Sequence, residues 1–316
     1  MSFSIQMNTP TNDEIRRIAC EQLDKGLREL ADEEIDIHET IHQVRKRCKK
    51  LRGLIRLARS EFEKTYQREN TQLRDMAARL SPARDSEAVL ETFDKLVESP
   101  GEETPSAGYS WIRLRLLEAR DQVVKDEQEL AKKLEAFRCD IVDLRERVSC
   151  WSFSDQGFGT IKGGLRKSYA RGRKAMNKAL HEPTSERFHE WRKRAKYHRY
   201  HMGLLQDIWK RPMKARRKEL HTLSDLLGFE HDLAVLDERL KTDPEHFPES
   251  PVLEEFRSLI EKRRGLLRGH AFNLGKRLYS EKPKRLSKRF GDYWQAERRL
   301  SLDTLCDRAR PVPDSR

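Results

Sequence analysis

Glycine and proline are scarce in this 316-residue chain, at 15 and 12 positions. Few residues are therefore available for the tight turns of an all-β fold or the glycine-rich phosphate loop of a Rossmann sheet. The apolar set is 36% of the residues and the aromatic set 8%, below the ~45–50% apolar content of an ordinary globular domain. No apolar run approaches the ~18 residues of a membrane span, and the opening MSFSIQMNTP lacks the basic and apolar regions of a secretory leader. Cysteine is sparse as well: Cys20, Cys48, Cys139, Cys150 and Cys306 are scattered, odd in number, and without a C-x-x-C pair. That spacing argues against a disulfide framework and a thiolate zinc site and fits a reducing cytoplasm. Cys20 and Cys48 fall among helical apolar positions and read as small core residues.

What the chain has instead is charge. Lys and Arg number 65 against 53 Asp and Glu, giving a net charge of +12, and 37% of all residues are charged. With regularly spaced leucines and few helix breakers, this predicts long amphipathic helices and an all-α fold. Thr11 and Asn12 can cap a first helix to about Leu30. A second begins near Ile35, with Ile41, Val44, Cys48, Leu51, Ile55, Ala58 and Phe62 in an unbroken 3,4 spacing. Further helices are expected over about 66–80, 84–98 and, unbroken, 111–148. Residues 99–108 (SPGEETPSAG) read as a linker, and 150–164 as a second break. The remainder predicts helices at about 161–180, 185–209, 213–227, 230–241, 252–280 and 284–302. Residues 12–150 and 160–295 form two helical halves, and 1–11 and 303–316 read as flexible tails.

The halves repeat each other. At a constant offset of 147 residues, His42 falls on His189, Arg45 on Arg192, Lys46 on Lys193, Arg47 on Arg194, Lys49 on Lys196 and Arg52 on Arg199. Both copies read H-x-x-R-K-R-x-K-x-x-R. The register continues through Leu73/Leu220, Met76/Leu223, Leu80/Leu227, Asp85/Asp232 and Val89/Leu236, with core pairs Ile41/Phe188, Val44/Trp191, Cys48/Ala195 and Phe62/Trp209. Six polar identities in one register predict two similar helical units related by a pseudo-two-fold.

At 100° per residue, His42, Arg45, Lys46, Lys49 and Arg56 form a stripe roughly a third of a turn from the apolar seam. Residues 42–59 carry eight Lys and Arg and no acid, and 184–218 carry twelve against three acids. A solvated helix gains a few tenths of a kcal/mol by alternating Glu with Lys at i,i+4, and stacked like charges lose about as much. Two helices built against their own stability in the same way imply a polyanion that completes them. Arg47 and Arg194 point off the stripe and read as solvated or paired elsewhere.

The doubled motif, the following R-D at 84–85 and H-D at 231–232, the stretch GLRKSYARGRKAM at 164–176, and the tail GKRLYSEKPKRLSKRFGDYW at 275–294 resemble the CHAD family, the conserved histidine α-helical domain. The resemblance spans about residues 12–295. It implies two antiparallel four-helix bundles related by a pseudo-two-fold around a basic groove or pore, non-catalytic binding of inorganic polyphosphate, and association with polyphosphate granules. The chain has neither the length nor the E-x-E-x-K signature of the CYTH triphosphatase domain found in some members. The resemblance assigns binding to His42, Arg45, Lys46, Lys49 and Arg52, with Arg56 on the same stripe, and to His189, Arg192, Lys193, Lys196 and Arg199. Lys162, Arg166 and Arg173 match further basic positions. The counterpart stretch at 15–26 departs, with Arg16 and Arg17 followed by Glu21, Asp24 and only Lys25.

The chemistry agrees with that implication. Cations at i, i+3, i+4 and i+7 stand on the order of 5–6 Å apart, a ladder for a linear polyanion without bases to read. His42 and His189 either donate to phosphate once protonated, tightening binding below about pH 6.5, or bridge to Asp85 or Asp232. Those two acids read as structural, pairing with a motif Arg or capping a helix.

Three other readings compete. Charge alone permits RNA or DNA as the partner, yet Trp191, Tyr197 and Tyr200 stand opposite Val44, Lys50 and Gly53, so stacking is not part of the repeated design. His38-Glu39-Thr40-Ile41-His42 matches the H-E-x-x-H of zinc hydrolases. The second copy keeps only the later His, the next turns are cationic, and a third ligand would fall to Glu61 or Glu63. Gly157, Gly159, Gly163 and Gly164 lack phosphate-loop spacing and read as a helix connection. The expectation is a cytoplasmic protein without cofactor, metal or membrane partner.

Overall fold

The computed structural model describes residues 3–98, 108–124 and 127–309, except the side chains at 82–85, 121–124, 127–128 and 302–309. Eleven α-helices and one 3-10 turn make up the described residues, with no strand. They are α1 (Thr11–Ala31), α2 (Ile37–Ala58), α3 (Glu63–Arg79), α4 (Ser81–Val97), α5 (Ser110–Val124), α6 (Glu127–Val148), α7 (Gly159–His181), α8 (Ser185–Leu204), α9 (Lys210–Thr242), α10 (Pro251–Leu278) and α11 (Pro283–Ala309). None is long and apolar enough to cross a membrane.

The 147-residue offset carries α1 onto α7 and α2 onto α8, and it carries α3 and α4 together onto α9. The first half breaks at Leu80-Ser81-Pro82, where proline withholds a backbone N–H and sits at the start of α4. The matching Leu227-Gly228-Phe229 runs through α9 without a break. Separate helices at 213–227 and 230–241 are thus corrected to one of 33 residues. A lone glycine costs about 1 kcal/mol in a helix, which burial of Leu223, Leu227, Phe229 and Leu233 outweighs. The helix expected over 111–148 is described as α5 and α6, which pack on different partners. Their junction at 125–126, like the linker at 99–107, lies outside the described residues.

Two clusters hold the fold. The larger runs through α1, α2, α3 and α6 and continues through α7, α8, the first half of α9 and α11. The smaller joins Leu90, Phe93 and Leu96 of α4 and Ile112 and Leu116 of α5 to Leu233, Leu236 and Leu240 of α9 and Phe256 and Ile260 of α10. The core therefore does not divide where the repeats do: α4 and α5 pack against the second half of the chain.

The N-terminal segment is not a loose tail. Ile5 is buried, its N–H donates to Leu204 O at 2.8 Å, and Gln6 N–H donates to the Glu14 carboxylate at 2.8 Å. At the other end, α11 extends through the first part of the stretch expected to be a tail. Thr11 is the first residue of α1 and not its cap, with its hydroxyl buried. Phe62 lies beyond the end of α2 as the N-cap residue of α3. Gly163 and Gly164 lie inside α7, not in a connection. A Cβ at Gly164 would overlap the Leu57 and Arg56 carbonyl oxygens of α2, so this position lets two helix backbones touch.

Candidate functional site

Asp36 caps α2 by accepting from His38 N–H at 2.8 Å, and Thr184 caps α8 by accepting from Arg187 N–H at 3.4 Å. Each cap starts its helix a few residues before the motif histidine. The apolar faces then turn Ile41, Val44, Cys48 and Leu51 of α2, and Phe188, Trp191 and Ala195 of α8, into the core. That burial fixes the rotation of both helices and leaves their cationic stripes facing each other.

Between them lies a cleft of about 560 Å³. His42, Arg45, Lys49 and Arg52 of α2 line it together with His189, Arg192, Lys193 and Lys196 of α8. The far wall is Ala88 and Val89 of α4 and His231, Asp232 and Val235 of α9; Tyr197 and Tyr200 complete it. The lining is nearly two-fold. His42/His189, Arg45/Arg192, Lys49/Lys196 and Ala88/Val235 are all pairs separated by 147 residues.

Like charges crowd this space. Burial, then Arg192 and Lys49, lowers the Lys196 ammonium pKa to about 7. Burial also lowers the Arg52 guanidinium below its ordinary value. His189 and His231 face each other, with His189 Nδ1 3.2 Å from His231 Nε2. Burial, reinforced by Lys193 and Arg192, holds His189 below the usual imidazole range. Burial and Arg192 bring His231 down to about 3. Both rings are therefore neutral at physiological pH, and an anion beside them would favour their protonation. Asp232 lies 3.6 Å from Arg192.

Several residues expected at the site stand elsewhere. Lys46 donates to Gln43 at 3.2 Å. Arg199 lies over the Tyr200 ring at 5.3 Å and lends its field to Lys196 without lining the cleft. Arg56 continues the α2 stripe past the point where Gly53 meets Tyr200, and there it turns to the Tyr66 hydroxyl and Asn70, each at 2.7 Å. Lys162 and Arg166 are exposed on α7, Arg173 is half-exposed there, and none lines the cleft. The His189 ring meets His231; the Asp85 side chain lies outside the described residues. Off the stripe, Arg47 pairs with Glu29 and Arg194 with Glu190. For the His38 and His42 pair, among the described residues no three His, Cys, Asp or Glu gather as a metal would require.

His231, Val235 and Ala88 line the cleft, and composition and charge pass over them. The offset pairs Val235 with Ala88, and His231 directly precedes Asp232, so the repeat already held the signal. Tyr197 and Tyr200 have no such signal, because their counterparts Lys50 and Gly53 are not aromatic.

The CHAD domain family model matches residues 17–241. The fold is similar to the crystal structure of the CHAD domain from the plant Ricinus communis, with a TM-score of 0.55 over 89% of this chain and 95% of that one. The two sequences are 14% identical, so this likeness speaks for the fold alone. No curated protein matches the chain.

Proposed function

Because the chain belongs to the CHAD domain family, we propose that its cleft binds inorganic polyphosphate and does so without catalysis. The observation that carries this reading is the convergence of both motif copies on one cavity, in equivalent pairs. A bare phosphate chain offers only charge and acceptor oxygens. Guanidinium forks on Arg45, Arg52 and Arg192, with the ammonium groups of Lys49, Lys193 and Lys196, supply the matching donors.

The aromatic residues favour this ligand over single-stranded nucleic acid. One face of Tyr197 is covered by the Arg56 guanidinium at 4.2 Å. Tyr200 is 9% exposed and packs edge-on against Phe3. Neither ring offers the open platform on which bases stack. The reading extends to a cytoplasmic protein that associates with polyphosphate granules.

A competition experiment at about 150 mM salt tests the proposal. Labelled long-chain polyphosphate is challenged with unlabelled long-chain polyphosphate, tripolyphosphate, single-stranded RNA or duplex DNA at equal phosphate concentration. Selective displacement by polyphosphate is expected. Equal displacement by RNA or DNA makes the cleft a general polyanion groove and overturns the specific reading.

A further inference from the structure

A second group of cations stands outside the cleft. Arg56 of α2 and Arg59 just beyond its end, Ser168 and Arg171 of α7, and Arg194 and Tyr197 of α8 line a small pocket. Tyr197 belongs to both cavities and forms the wall they share.

Four guanidinium groups from three helices meet in this pocket, and the carboxylates near them are at its rim. Glu63, 48% exposed, reaches Arg59 at 3.3 Å, and Glu190, 38% exposed, pairs with Arg194. Among the described residues no carboxylate lies within ion-pair reach of Arg56 or Arg171. Arg56 donates its terminal nitrogens to neutral partners, the Tyr66 hydroxyl and the Asn70 side-chain carbonyl. Arg56 and Arg59 are each only 8% exposed, and the Nε of each is buried without an acceptor. Packing on the Tyr66 ring, 4.7 Å from Arg59 and 5.8 Å from Arg56, offsets part of the cost of such burial. Burial, then Arg194, Arg59 and Arg56, lowers the Arg171 guanidinium below its ordinary value. A structural role explains Arg59 beside Glu63 and Arg194 beside Glu190. It leaves unexplained why Arg171 is brought against three like charges and why two buried donors are unmet, an arrangement that costs stability.

We propose that this pocket is an anion site distinct from the cleft, taking one phosphate-sized oxyanion: free orthophosphate or the terminal group of a phosphate chain. Forked donors arriving from three helices suit a tetrahedral group with several acceptor oxygens. The Ser168 hydroxyl adds a neutral donor. The pocket as it stands, about 10 Å³, has room for no more than a water molecule, so Arg171, which is exposed, has to swing outward to admit the ion. The site stands on its own residues and does not depend on what the cleft binds.

Calorimetric titration with orthophosphate and with tripolyphosphate tests this on three forms of the full chain: the natural protein, the pocket variant Arg171→Gln/Arg194→Gln, and the cleft variant Lys49→Gln/Lys196→Gln. Arg171→Gln alone, an exposed change, guards against misfolding of the double variant. We expect the pocket variant to bind the occupying anion about ten-fold or more weakly, one lost charge-assisted contact being worth roughly that factor, while the cleft variant keeps this binding event. Orthophosphate behaving this way assigns the pocket to the free ion; tripolyphosphate alone doing so assigns it to a chain end. Unchanged affinity in the pocket variants, or no binding of either anion at millimolar concentration, overturns the proposal. Loss confined to the cleft variant also overturns it, and leaves the reading of the cleft intact.

Discussion

Gly53 and Tyr200 occupy the same position in the two repeats, 147 residues apart, and they touch each other. Contact between equivalent residues places them beside the pseudo-two-fold axis, where α2 meets α8. A Cβ at Gly53 would lie 3.0 Å from the Tyr200 Cβ. The neighbouring His201 ring donates through Nε2 to Gly53 O at 3.0 Å. Two tyrosines cannot share this spot, so the aromatic residue survives in one copy only. The broken repeat at 53/200 is thus a requirement of the symmetry.

From that contact, Gly53→Ala is expected to destabilise despite the roughly 0.5–1 kcal/mol that alanine gains in a helix. Overpacking at a site that must yield by tenths of an ångström costs about 1–3 kcal/mol. Gly164→Ala, facing backbone carbonyls that cannot turn aside, should lose more, at or beyond the top of that range. Thermal melts of both variants check the order; Gly164→Ala melting at or above Gly53→Ala contradicts it.

Charge reversal separates site from background. Lys49→Glu/Lys196→Glu should weaken long-chain polyphosphate binding by about a hundred-fold and flatten its salt dependence. Lys133→Glu/Lys262→Glu, equal in net charge change but outside the cleft, should weaken it only a few-fold. Similar losses in the two variants remove any special role for the ladder.

Proton uptake should accompany binding. Free Lys196 titrates near about 7 because burial, Arg192 and Lys49 oppose its charge, and a bound polyanion restores the charge. Affinity should therefore fall as pH rises from about 7 towards the ordinary lysine value, by up to about ten-fold per pH unit. Lys196→Arg keeps its charge throughout and should flatten that limb. Dissociation constants between about pH 6.5 and 9.5 decide it; a natural protein with no slope, or a variant that keeps the same slope, counts against this role.

Acid should unfold the chain through buried histidines that do not line the cleft. His198 and His201 are fully buried. Burial holds His201 down to about 4 and His198 well below its usual range, and neither ring nitrogen of His198 has a partner. The unfolded chain takes up these protons first, near pH 6.5. Stability is therefore complete above about 6.5 and falls as the pH drops towards about 4, by up to about 1.4 kcal/mol per pH unit for each group. Urea unfolding across that window should show a shallower fall for His198→Phe/His201→Gln, the glutamine keeping a donor for Gly53 O. An equal fall in the variant assigns acid lability to other groups.

The repeated motif was legible because its charges recur in one register, and the structure draws the two stripes into one cleft. What escaped were features that a pattern along the chain cannot carry. Lys46 and Lys193 are equivalent by position, but only Lys193 lines the cleft. Arg56 sits on the α2 stripe by angle, yet the crossing at Gly53 and Tyr200 hands it to another cavity. The gap expected between helices at 227 and 230 falls on Gly228, a poor helix former, and burial of Leu227 and Phe229 on both sides overrides that preference. The buried Ile5 has no periodic neighbours to announce it; its place is set by the larger core cluster and by backbone bonds of its segment, Ile5 N–H to Leu204 O among them.

The near two-fold lining of the cleft has a consequence for how a chain enters it. Inorganic polyphosphate reads the same from either end, whereas a nucleic-acid strand has a direction. A cleft whose halves present His42, Arg45 and Lys49 against His189, Arg192 and Lys196 would accept such a chain forwards or reversed with nearly the same contacts. Two equivalent orientations add about 0.4 kcal/mol of favourable entropy to binding. Either terminus would then be able to lead, and no end would have to be found first.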